Sequence, residues 1–456
     1  MTAPRPADQR WQAWQSVDSG RLLLLGTTAV LVVVALAQTA VHITDQQPRV
    51  AIAFGLFIAF GELLRLALPG GREAAPIAMT AALAYALALR IAALPHSLPA
   101  GAAHKSSAAA NSAVHNLSVL VNVPPLQVIA VAALGMSLGA LPHIAASRPA
   151  NITGMSARLV AVAFVAFLFR PMVRPGTFLS NPKHLAVAIA VMATLAALGW
   201  LAETVIVAII RADDLRARYS VTLSDEVQLQ WRLGLAIGVS AIIAVLGAQV
   251  MGIAELAVFA GPLLVIQLAF RRYAGIRATY LQTVRALAQV TEVGGYVESG
   301  HSRRVSRLAL AVGRELGMPE RDLLDLEYAA LMHDIGQLSL ADPIPGGATV
   351  LVSAADQQRI ADFGAEVIKQ TGVLDIAAEL VRCQSMPSRG GDWEPPLGSR
   401  IIRAVNAYDD LVGSSGDRDR IGAALDRLRM DTDTEYDSSV VSALALVAGR
   451  LPVSRL

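Results

Sequence analysis

The sequence predicts an all-α membrane protein, with about eight transmembrane helices followed by an all-helical soluble domain. Of the 456 residues, 54% are hydrophobic and 16% are charged, whereas a soluble protein carries about 25% charged residues. The apolar residues are also concentrated in long runs before residue 271. These observations divide the chain into a polar tail (1–21), a membrane domain (22–270), a connecting helix (271–297) and a C-terminal domain (298–456).

The predicted spans are apolar runs of roughly the length that crosses a bilayer, with few charges. They lie at about 22–41, 50–68, 75–95, 126–146, 157–173, 185–210, 233–250 and 253–270. The first run lacks a small-residue cleavage signature, so we interpret it as a retained helix and not a signal peptide. Only Met251-Gly252 separates the last two runs, which leaves open a tight hairpin or one broken helix.

The distribution of Lys and Arg predicts the orientation. With an even number of spans, the loops on the side of the C-terminal domain carry most of the basic residues, among them Arg211, Arg271 and Arg272. This bias predicts a multi-pass protein of the inner (plasma) membrane with the N-terminus and the C-terminal domain in the cytoplasm. The loop 170–183 is discordant. The single Cys383 excludes an internal disulfide framework and fits a reducing compartment, and we interpret it as a small buried residue.

Charged residues within the predicted spans have two interpretations. Glu62 and Arg65 lie three residues apart on one helix face, which predicts a self-neutralising pair. Because a buried charge in a membrane is costly, Glu62, Arg65 and Glu203 could instead mark an ion or ligand path, and the membrane domain would then be a transporter.

The connecting helix combines arginines with apolar residues at helical spacing, including Leu281, Val284 and Leu287. This pattern predicts a helix that leaves the lipid bilayer with Arg271 and Arg272 at the headgroups. It predicts either a homodimer through this helix or packing against its own domain. The net charge of +2 favours no polyanion, so we expect no direct binding to a nucleic-acid polymer.

The C-terminal domain is predicted to be helical throughout, because its apolar residues recur at helical spacing between Gly- and Pro-rich breaks. The expected helices lie near 301–317, 320–337, 354–371, 374–384, 398–413, 418–430 and 437–450. No strand-like alternation of useful length is present.

The adjacent pair His333-Asp334 follows an apolar helical run and is the main chemical signal in the sequence. Imidazole nitrogens and carboxylate oxygens are both ligands for divalent ions. The pair alone is weak evidence, and its surroundings strengthen it. Upstream is Gly300-His301-Ser302-Arg303-Arg304, and downstream is Arg403-Ala404-Val405-Asn406-Ala407-Tyr408-Asp409.

From about residue 280 to 451, this arrangement resembles the HD superfamily of metal-dependent phosphohydrolases, in particular a degenerate form of its HD-GYP branch. The resemblance implies that His301, His333, Asp334 and Asn406 hold a divalent ion (Mn, Fe, Mg or Zn). It also implies a catalytic role for Asp334, and we expect Arg304 to neutralise a phosphate. Asp409 and Asp437 match family positions to which we assign structural roles.

The chain departs from the family pattern at several points. The last metal-binding Asp is replaced by Asn406, and the Lys after Asp-Ile-Gly is replaced by Gln337. The segment that matches the branch's His-His-Glu run reads Val381-Arg382-Cys383-Gln384-Ser385-Met386 here, and the branch's Gly-Tyr-Pro element has no counterpart in 390–393. Only two histidines lie beyond residue 184, so we expect a single ion and not a di- or tri-metal centre.

The sequence therefore predicts a membrane-anchored signalling protein. Its HD-type domain would act on or read a phosphorylated small molecule, with cyclic di-GMP as the ligand that the branch resemblance implies. Two alternatives remain: a catalytically inactive HD-fold regulator or interaction module, and a transporter with a regulatory HD tail.

Overall fold

The computed structural model describes residues 19–41, 48–68, 72–88, 123–146, 151–173, 184–215, 217–251, 255–340, 342, 344, 349, 352–388, 394–413, 417–432 and 434–450. The chain forms two compact units. Unit 1 comprises Met1–Asp213 and Glu226–Ala274, and unit 2 comprises Asp214–Asp225 and Gly275–Leu456. The all-α fold class is confirmed. Residues 1–18 of the predicted N-terminal tail lie outside the described residues, as do residues 89–122.

Unit 1 is built from apolar helices and one short hairpin. The elements are α1 (Ser19–Val41), α2 (Pro48–Leu63), β1 (Leu66–Leu68), β2 (Arg72–Ala74), α3 (Pro76–Ala86), α4 (Pro125–Ala145), α5 (Ile152–Met172), α6 (Leu185–Leu215), α7 (Tyr219–Met251) and α8 (Glu255–Val293). The end of α6, the first turns of α7 and the second half of α8 are assigned to unit 2. Strands β1 and β2 pair antiparallel, with Leu66 opposite Ala74. This hairpin was not predicted, because β1 falls at the end of an apolar run that was interpreted as one span and β2 falls in the loop before the next run.

Five helices among the described residues are long and apolar enough to cross a membrane, so the prediction of about eight spans was wrong. The five lie at Gly20–Val41, Pro125–Ala145, Ile152–Met172, Leu185–Leu215 and Tyr219–Ala248. A bilayer core of about 30 Å needs about 20 helical residues, whereas α2 has 16 residues and α3 has 11. In α8, Glu255 and Arg271 enclose an uncharged stretch that is too short to cross.

Close helix packing explains the small residues of unit 1. Every residue of α3 is buried, so this short apolar helix belongs to a protein core. A Cβ atom added at Gly61 of α2 would lie 2.2 Å from the backbone nitrogen of Ala78 in α3. One added at Gly139 of α4 would lie 2.3 Å from the carbonyl oxygen of Ala59. Glycine at both positions therefore allows the backbones to approach, as is usual between membrane helices.

The buried charges of unit 1 pair between elements. Glu62 is fully buried and accepts from Nη2 of Arg158 on α5 at 2.9 Å. Arg65 lies 3.4 Å from Glu73 of β2. The predicted pairing of Glu62 with Arg65 was therefore wrong, because each residue has a partner brought to it by tertiary packing.

Unit 2 contains seven helices after α8 among its described residues. They are α9 (His301–Glu315), α10 (Glu320–Met332), α11 (Ala354–Lys369), α12 (Asp375–Arg382), α13 (Leu397–Val412), α14 (Arg418–Met430) and α15 (Ser438–Arg450). All seven predicted helices are present. The second ends earlier than expected, at Met332, and a 3₁₀ turn (Ile335–Ser339) follows it. The pair His333-Asp334 therefore lies at a break between two helical segments and not within a helix.

The core of unit 2 brings α9, α10 and α13 together around apolar side chains such as Val305, Leu326 and Val405. The 3₁₀ turn packs against α11, where a Cβ atom added at Gly336 would lie 1.8 Å from the carbonyl oxygen of Ile360. Only glycine permits this approach, so Gly336 fixes the position of the turn that begins directly after Asp334.

Candidate metal centre

His301 is the first residue of α9 and is buried. The preceding Gly300 has a φ of 81°, a left-handed conformation that glycine adopts without strain. The Nδ1 atom of His301 lies 2.8 Å from Oδ2 of Asp409. Because a carboxylate only accepts, the proton of the neutral ring is on Nδ1, and the lone pair of Nε2 is left for a ligand.

His333 follows the last residue of α10 and is also buried. Its Nδ1 atom lies 2.9 Å from the carbonyl oxygen of Ala330, which again places the proton of the neutral ring on Nδ1. The Nε2 atoms of His301 and His333 face each other at 3.3 Å. Two imidazole lone pairs therefore converge on one point.

The carboxylate of Asp334 completes a triangle with the two imidazoles. Its Oδ2 atom lies 3.1 Å from Nε2 of His301 and 3.1 Å from Nε2 of His333. The same oxygen is buried and has no hydrogen-bond partner, so these contacts have the distance of hydrogen bonds without their geometry. The other carboxylate oxygen, Oδ1, accepts from Nε2 of Gln337 at 2.8 Å.

Asn406 of α13 contributes a fourth inward atom. Its Oδ1 lies 3.0 Å from Nε2 of His333, and its Nδ2 donates to the hydroxyl of Thr349 at 3.0 Å. The contact with Thr349 orients the carboxamide so that its oxygen, the atom that can ligate a metal, points toward the histidines.

The separations among these inward atoms are those expected around one ion. For metal–ligand bonds of about 2.1 Å, neighbouring ligand atoms lie about 3.0 Å apart in an octahedron and about 3.4 Å apart in a tetrahedron. The four measured separations run from 3.0 to 3.3 Å. Among the described residues, His301, His333 and Asp334 form a group that could hold a metal ion. All inward atoms are acceptors, so they repel one another unless a cation or a proton lies between them.

The charges of the centre favour the binding of a proton or a metal cation. Burial lowers the pKa of His301, but the nearby carboxylate of Asp334 and the contact with Asp409 outweigh burial and raise this pKa from 6.5 to about 10. Burial raises the pKa of Asp334, but His333 and His301 outweigh it, and this pKa falls well below its usual range. A divalent ion would therefore displace a proton from the cluster, which makes ion binding pH dependent.

Arg304 lies behind His301, on the side away from the cluster. Its guanidinium contacts the carboxylate of Asp409 with Nε at 2.9 Å and Nη2 at 2.9 Å, and Nη2 also lies 2.9 Å from Glu298. Both partners are acidic, and Asp409 and Arg304 are buried. The expected role of Arg304 in neutralising a phosphate has no support from these contacts. They instead fit a role in holding Asp409 against His301.

Three contacts of the centre were not predicted. Gln337 was recognised as a departure, but its hydrogen bond to Asp334 was not foreseen. Gln384 donates to the carbonyl oxygen of His333 at 2.7 Å, and Thr349 holds Asn406. Thr349 lies in a segment with no metal-binding pattern. Gln384 lies in the run that matches the branch's His-His-Glu element, but the glutamine itself does not indicate a contact with His333. The neighbouring Cys383 is buried, and burial together with Glu379 raises the pKa of its thiol to about 12, which fits a small core residue.

A cavity of about 240 Å³ opens beside the centre. Asp334 and Asn406 form part of its wall, and polar side chains continue from there, including Thr349, Gln384 and Ser385. A molecule in this cavity would reach the carboxylate and the carboxamide directly.

Comparison with known families agrees with this geometry. Residues 299–411 match the family model of the HD domain. The match begins just before His301 and ends just after Asp409, so it encloses all four inward side chains. It supports a module of the metal-dependent phosphohydrolase type, as the sequence resemblance predicted. Searches of the curated proteins and of the solved structures gave no significant match. The HD-GYP branch and the loss of its activity stay predictions.

Proposed function

We propose that this chain is a membrane-anchored phosphohydrolase whose HD domain uses one divalent ion to act on a phosphorylated small molecule. The convergence of four acceptor atoms, from His301, His333, Asp334 and Asn406, carries this proposal. Each of these side chains also has a second polar atom engaged by a neighbour, so the arrangement is held before any ion binds.

A divalent ion held there would supply an activated water and positive charge for a phosphoryl group. The protein's own side chains would orient the ligand atoms and set the charge of the site. His301 and His333 each direct one lone pair inward, because their Nδ1 protons are engaged by Asp409 and by Ala330. Asp334 supplies the only formal negative charge among the four. The centre with a divalent ion would therefore carry a net charge of +1, which favours an anionic substrate.

The departures at Asn406 and Gln337 favour a second candidate. An HD domain that binds an ion and a phosphorylated ligand without turnover would act as a regulator. A transporter with an HD tail has weaker support, because Glu62 and Arg65 are engaged in ion pairs with Arg158 and Glu73.

We further propose that the HD domain is cytoplasmic and that the protein belongs to an inner membrane. The arginines at 271 and 272 support this orientation. Five crossings would place the two termini on opposite sides, whereas an even number would place both on the same side, which the basic residues predict to be the cytoplasm. Reporter fusions at the two termini would decide between these arrangements, and a C-terminal reporter outside the cytoplasm would contradict the proposal.

The homodimer through the connecting helix also stays a prediction. On α8, Ile276, Leu287 and Val290 are exposed, whereas Val284 and Ala288 are buried. One face of the helix therefore packs within the chain and another is left for a second copy. Cysteine cross-linking at Val290 in membranes would test this pairing.

The proposed chemistry can be tested with the full-length protein in detergent. After chelation and reloading, metal analysis should find one Mn²⁺ per chain, and bis(p-nitrophenyl) phosphate or p-nitrophenyl phosphate should be hydrolysed. In His333→Ala, ion affinity should fall by more than the roughly 10–100-fold that loss of a supporting partner costs. His143→Ala, in unit 1, is the matched control. Ion binding that survives His333→Ala unchanged would refute the proposal, and binding without hydrolysis would favour the regulator.

A further inference from the structure

One wall of the cavity beside the metal centre lies outside the family match. Residues 299–411 match the HD domain, whereas Arg427, Asp431, Glu435 and Tyr436, which form this wall, follow the match in sequence and also line the cavity. Substrate specificity particular to this chain would therefore depend on the residues of this wall.

The wall is held in a defined shape. The carbonyl oxygen of Asp431, at the end of α14, accepts from the backbone nitrogens of Glu435 at 3.0 Å and Tyr436 at 3.2 Å. Arg403 of α13 ties this turn to the centre. Its Nε donates to the carbonyl oxygen of Glu435 at 3.1 Å, and its guanidinium carbon lies 5.8 Å from the centroid of the Tyr436 ring. Arg403 and Asn406 are three residues apart on one helix, so wall and centre share a rigid element.

The charges of the side chains that line the cavity suit a ligand with one anionic group. Both arginines of the described lining are paired with acids: Arg403 contacts the carboxylate of Glu435, and Arg427 lies 3.0 Å from Asp431. With Asp334 included, the ionised side chains of the lining sum to −1, and a divalent ion would bring the total to +1. A single phosphate would be attracted to the ion, whereas a second phosphate would meet arginines already neutralised by carboxylates.

The remaining lining suits a polar, uncharged body. Gln384, Ser385 and Thr349 offer amide and hydroxyl groups, and Tyr436 and Ile360 offer apolar surface. The volume of about 240 Å³ lies below the roughly 300–1,000 Å³ of pockets that enclose drug-sized ligands. A cyclic dinucleotide, with two bases and two phosphates, is larger than this volume, and its second phosphate has no unpaired arginine to contact among the described lining residues.

We propose, on the basis of the proposed function, that the cavity takes a phosphomonoester of one polar, uncharged alcohol of at most about nucleoside size. The wall formed by Arg427, Asp431, Glu435 and Tyr436 selects that alcohol. The cyclic dinucleotide implied by the branch resemblance is thereby replaced by a smaller substrate class.

Binding to the full-length, Mn²⁺-loaded protein tests this proposal without requiring turnover. The probes are adenosine 5′-monophosphate, ribose 5-phosphate, glycerol 3-phosphate and cyclic di-GMP, compared by thermal shift and titration calorimetry. We expect at least one monoester to bind at least about tenfold more tightly than cyclic di-GMP, since steric and charge mismatches of this kind cost one or more factors of ten. Equal or tighter binding of cyclic di-GMP, or no binding of any monoester, would overturn the proposal.

Two variants test whether the wall residues contribute to the affinity for the monoester. Tyr436→Ala and Arg427→Ala should weaken binding of the preferred monoester several-fold and leave Mn²⁺ affinity unchanged. Arg427 is largely exposed, so its variant should fold even if Tyr436→Ala does not. Met430→Ala, on the same helix and 77% exposed, is the matched control. A protein that binds Mn²⁺ and hydrolyses p-nitrophenyl phosphate but is insensitive to both wall variants would retain the proposed function and lose this inference.

Discussion

Asp409→Asn tests how the centre is held in place. The carboxylate of Asp409 is buried between Nδ1 of His301 and the guanidinium of Arg304. Removing one partner of a buried ion pair costs about 3–5 kcal/mol. We expect the lower end, about 3 kcal/mol, because asparagine can still accept from His301 and Glu298 still contacts Arg304. At roughly 2–4 °C per kcal/mol for a domain of this size, the midpoint of thermal unfolding should fall by about 6–12 °C.

The pH dependence of this effect has a defined sign. Burial raises the pKa of Asp409, but His301 and Arg304 outweigh it, so the folded-state pKa is depressed. A depressed carboxyl pKa stabilises the fold above the unfolded value of about 4 and loses that contribution as the pH falls through the folded value. The difference between wild type and variant should therefore be full at neutral pH and shrink in acid.

The assay combines denaturant unfolding of the full-length protein with Mn²⁺ titration. Asp409→Asn should also weaken Mn²⁺ binding by about 10–100-fold, the usual cost of losing a partner that orients a metal-binding histidine. Asp437→Asn is the matched control, because Asp437 also contacts an arginine, Arg400, and accepts from Ser439 at the start of α15. It should lose stability and keep its Mn²⁺ affinity. If Asp409→Asn likewise kept full affinity, Asp409 would not position His301.

Three further outcomes follow from the same geometry. The pKa of His301 is raised from 6.5 to about 10, so its contribution to the stability of the chelated protein is complete below the lower value and lost as the pH rises through the higher one; a flat profile in denaturant titrations would contradict this. Asn406→Asp adds a negative charge to the centre and should tighten Mn²⁺ binding, measured by calorimetry; unchanged or weaker binding would remove Asn406 from the ligand set. Gly336→Ala should cost about 1–3 kcal/mol or more, since its Cβ would lie 1.8 Å from the carbonyl oxygen of Ile360. Gly422→Ala, whose Cβ would meet nothing within 4 Å, should be tolerated in the same unfolding assay.

The local pattern of apolar residues predicted the helices of unit 2 correctly. It did not predict the number of membrane spans in unit 1. In unit 2, apolar periodicity between Gly- and Pro-rich breaks correctly predicted the seven helices that follow α8 among the described residues. In unit 1, hydropathy alone cannot distinguish a helix facing lipid from one facing protein, and α3 is apolar because all of its residues are buried. The partner of Glu62 was missed for a related reason. Arg65 is near in sequence, but the tertiary structure brings the side chain of Arg158, on α5, within hydrogen-bond distance of Glu62.

The sequence also identified the inward side chains better than their supports. His301, His333, Asp334 and Asn406 were predicted from residue type and from the family resemblance, and the structure brings them together. Their supports are single contacts over long sequence separations, such as Thr349 with Asn406 and Gln384 with His333. A side chain in a loop or turn carries no periodic signal, so these contacts require the tertiary structure.

The two departures from the family pattern compensate each other in charge. The resemblance predicts an aspartate at 406 and a lysine at 337, and the chain has Asn406 and Gln337, so one negative and one positive charge are lost together. Gln337 is fully buried and donates to Asp334 without adding a cation beside it, so the charge of Asp334 remains available to a divalent ion. Gln337→Lys alone should therefore weaken Mn²⁺ binding, and the double variant with Asn406→Asp should restore it toward the wild-type affinity. Calorimetric titration of the four proteins gives the coupling directly. A double variant as weak as Gln337→Lys would show that the two positions do not share one electrostatic site.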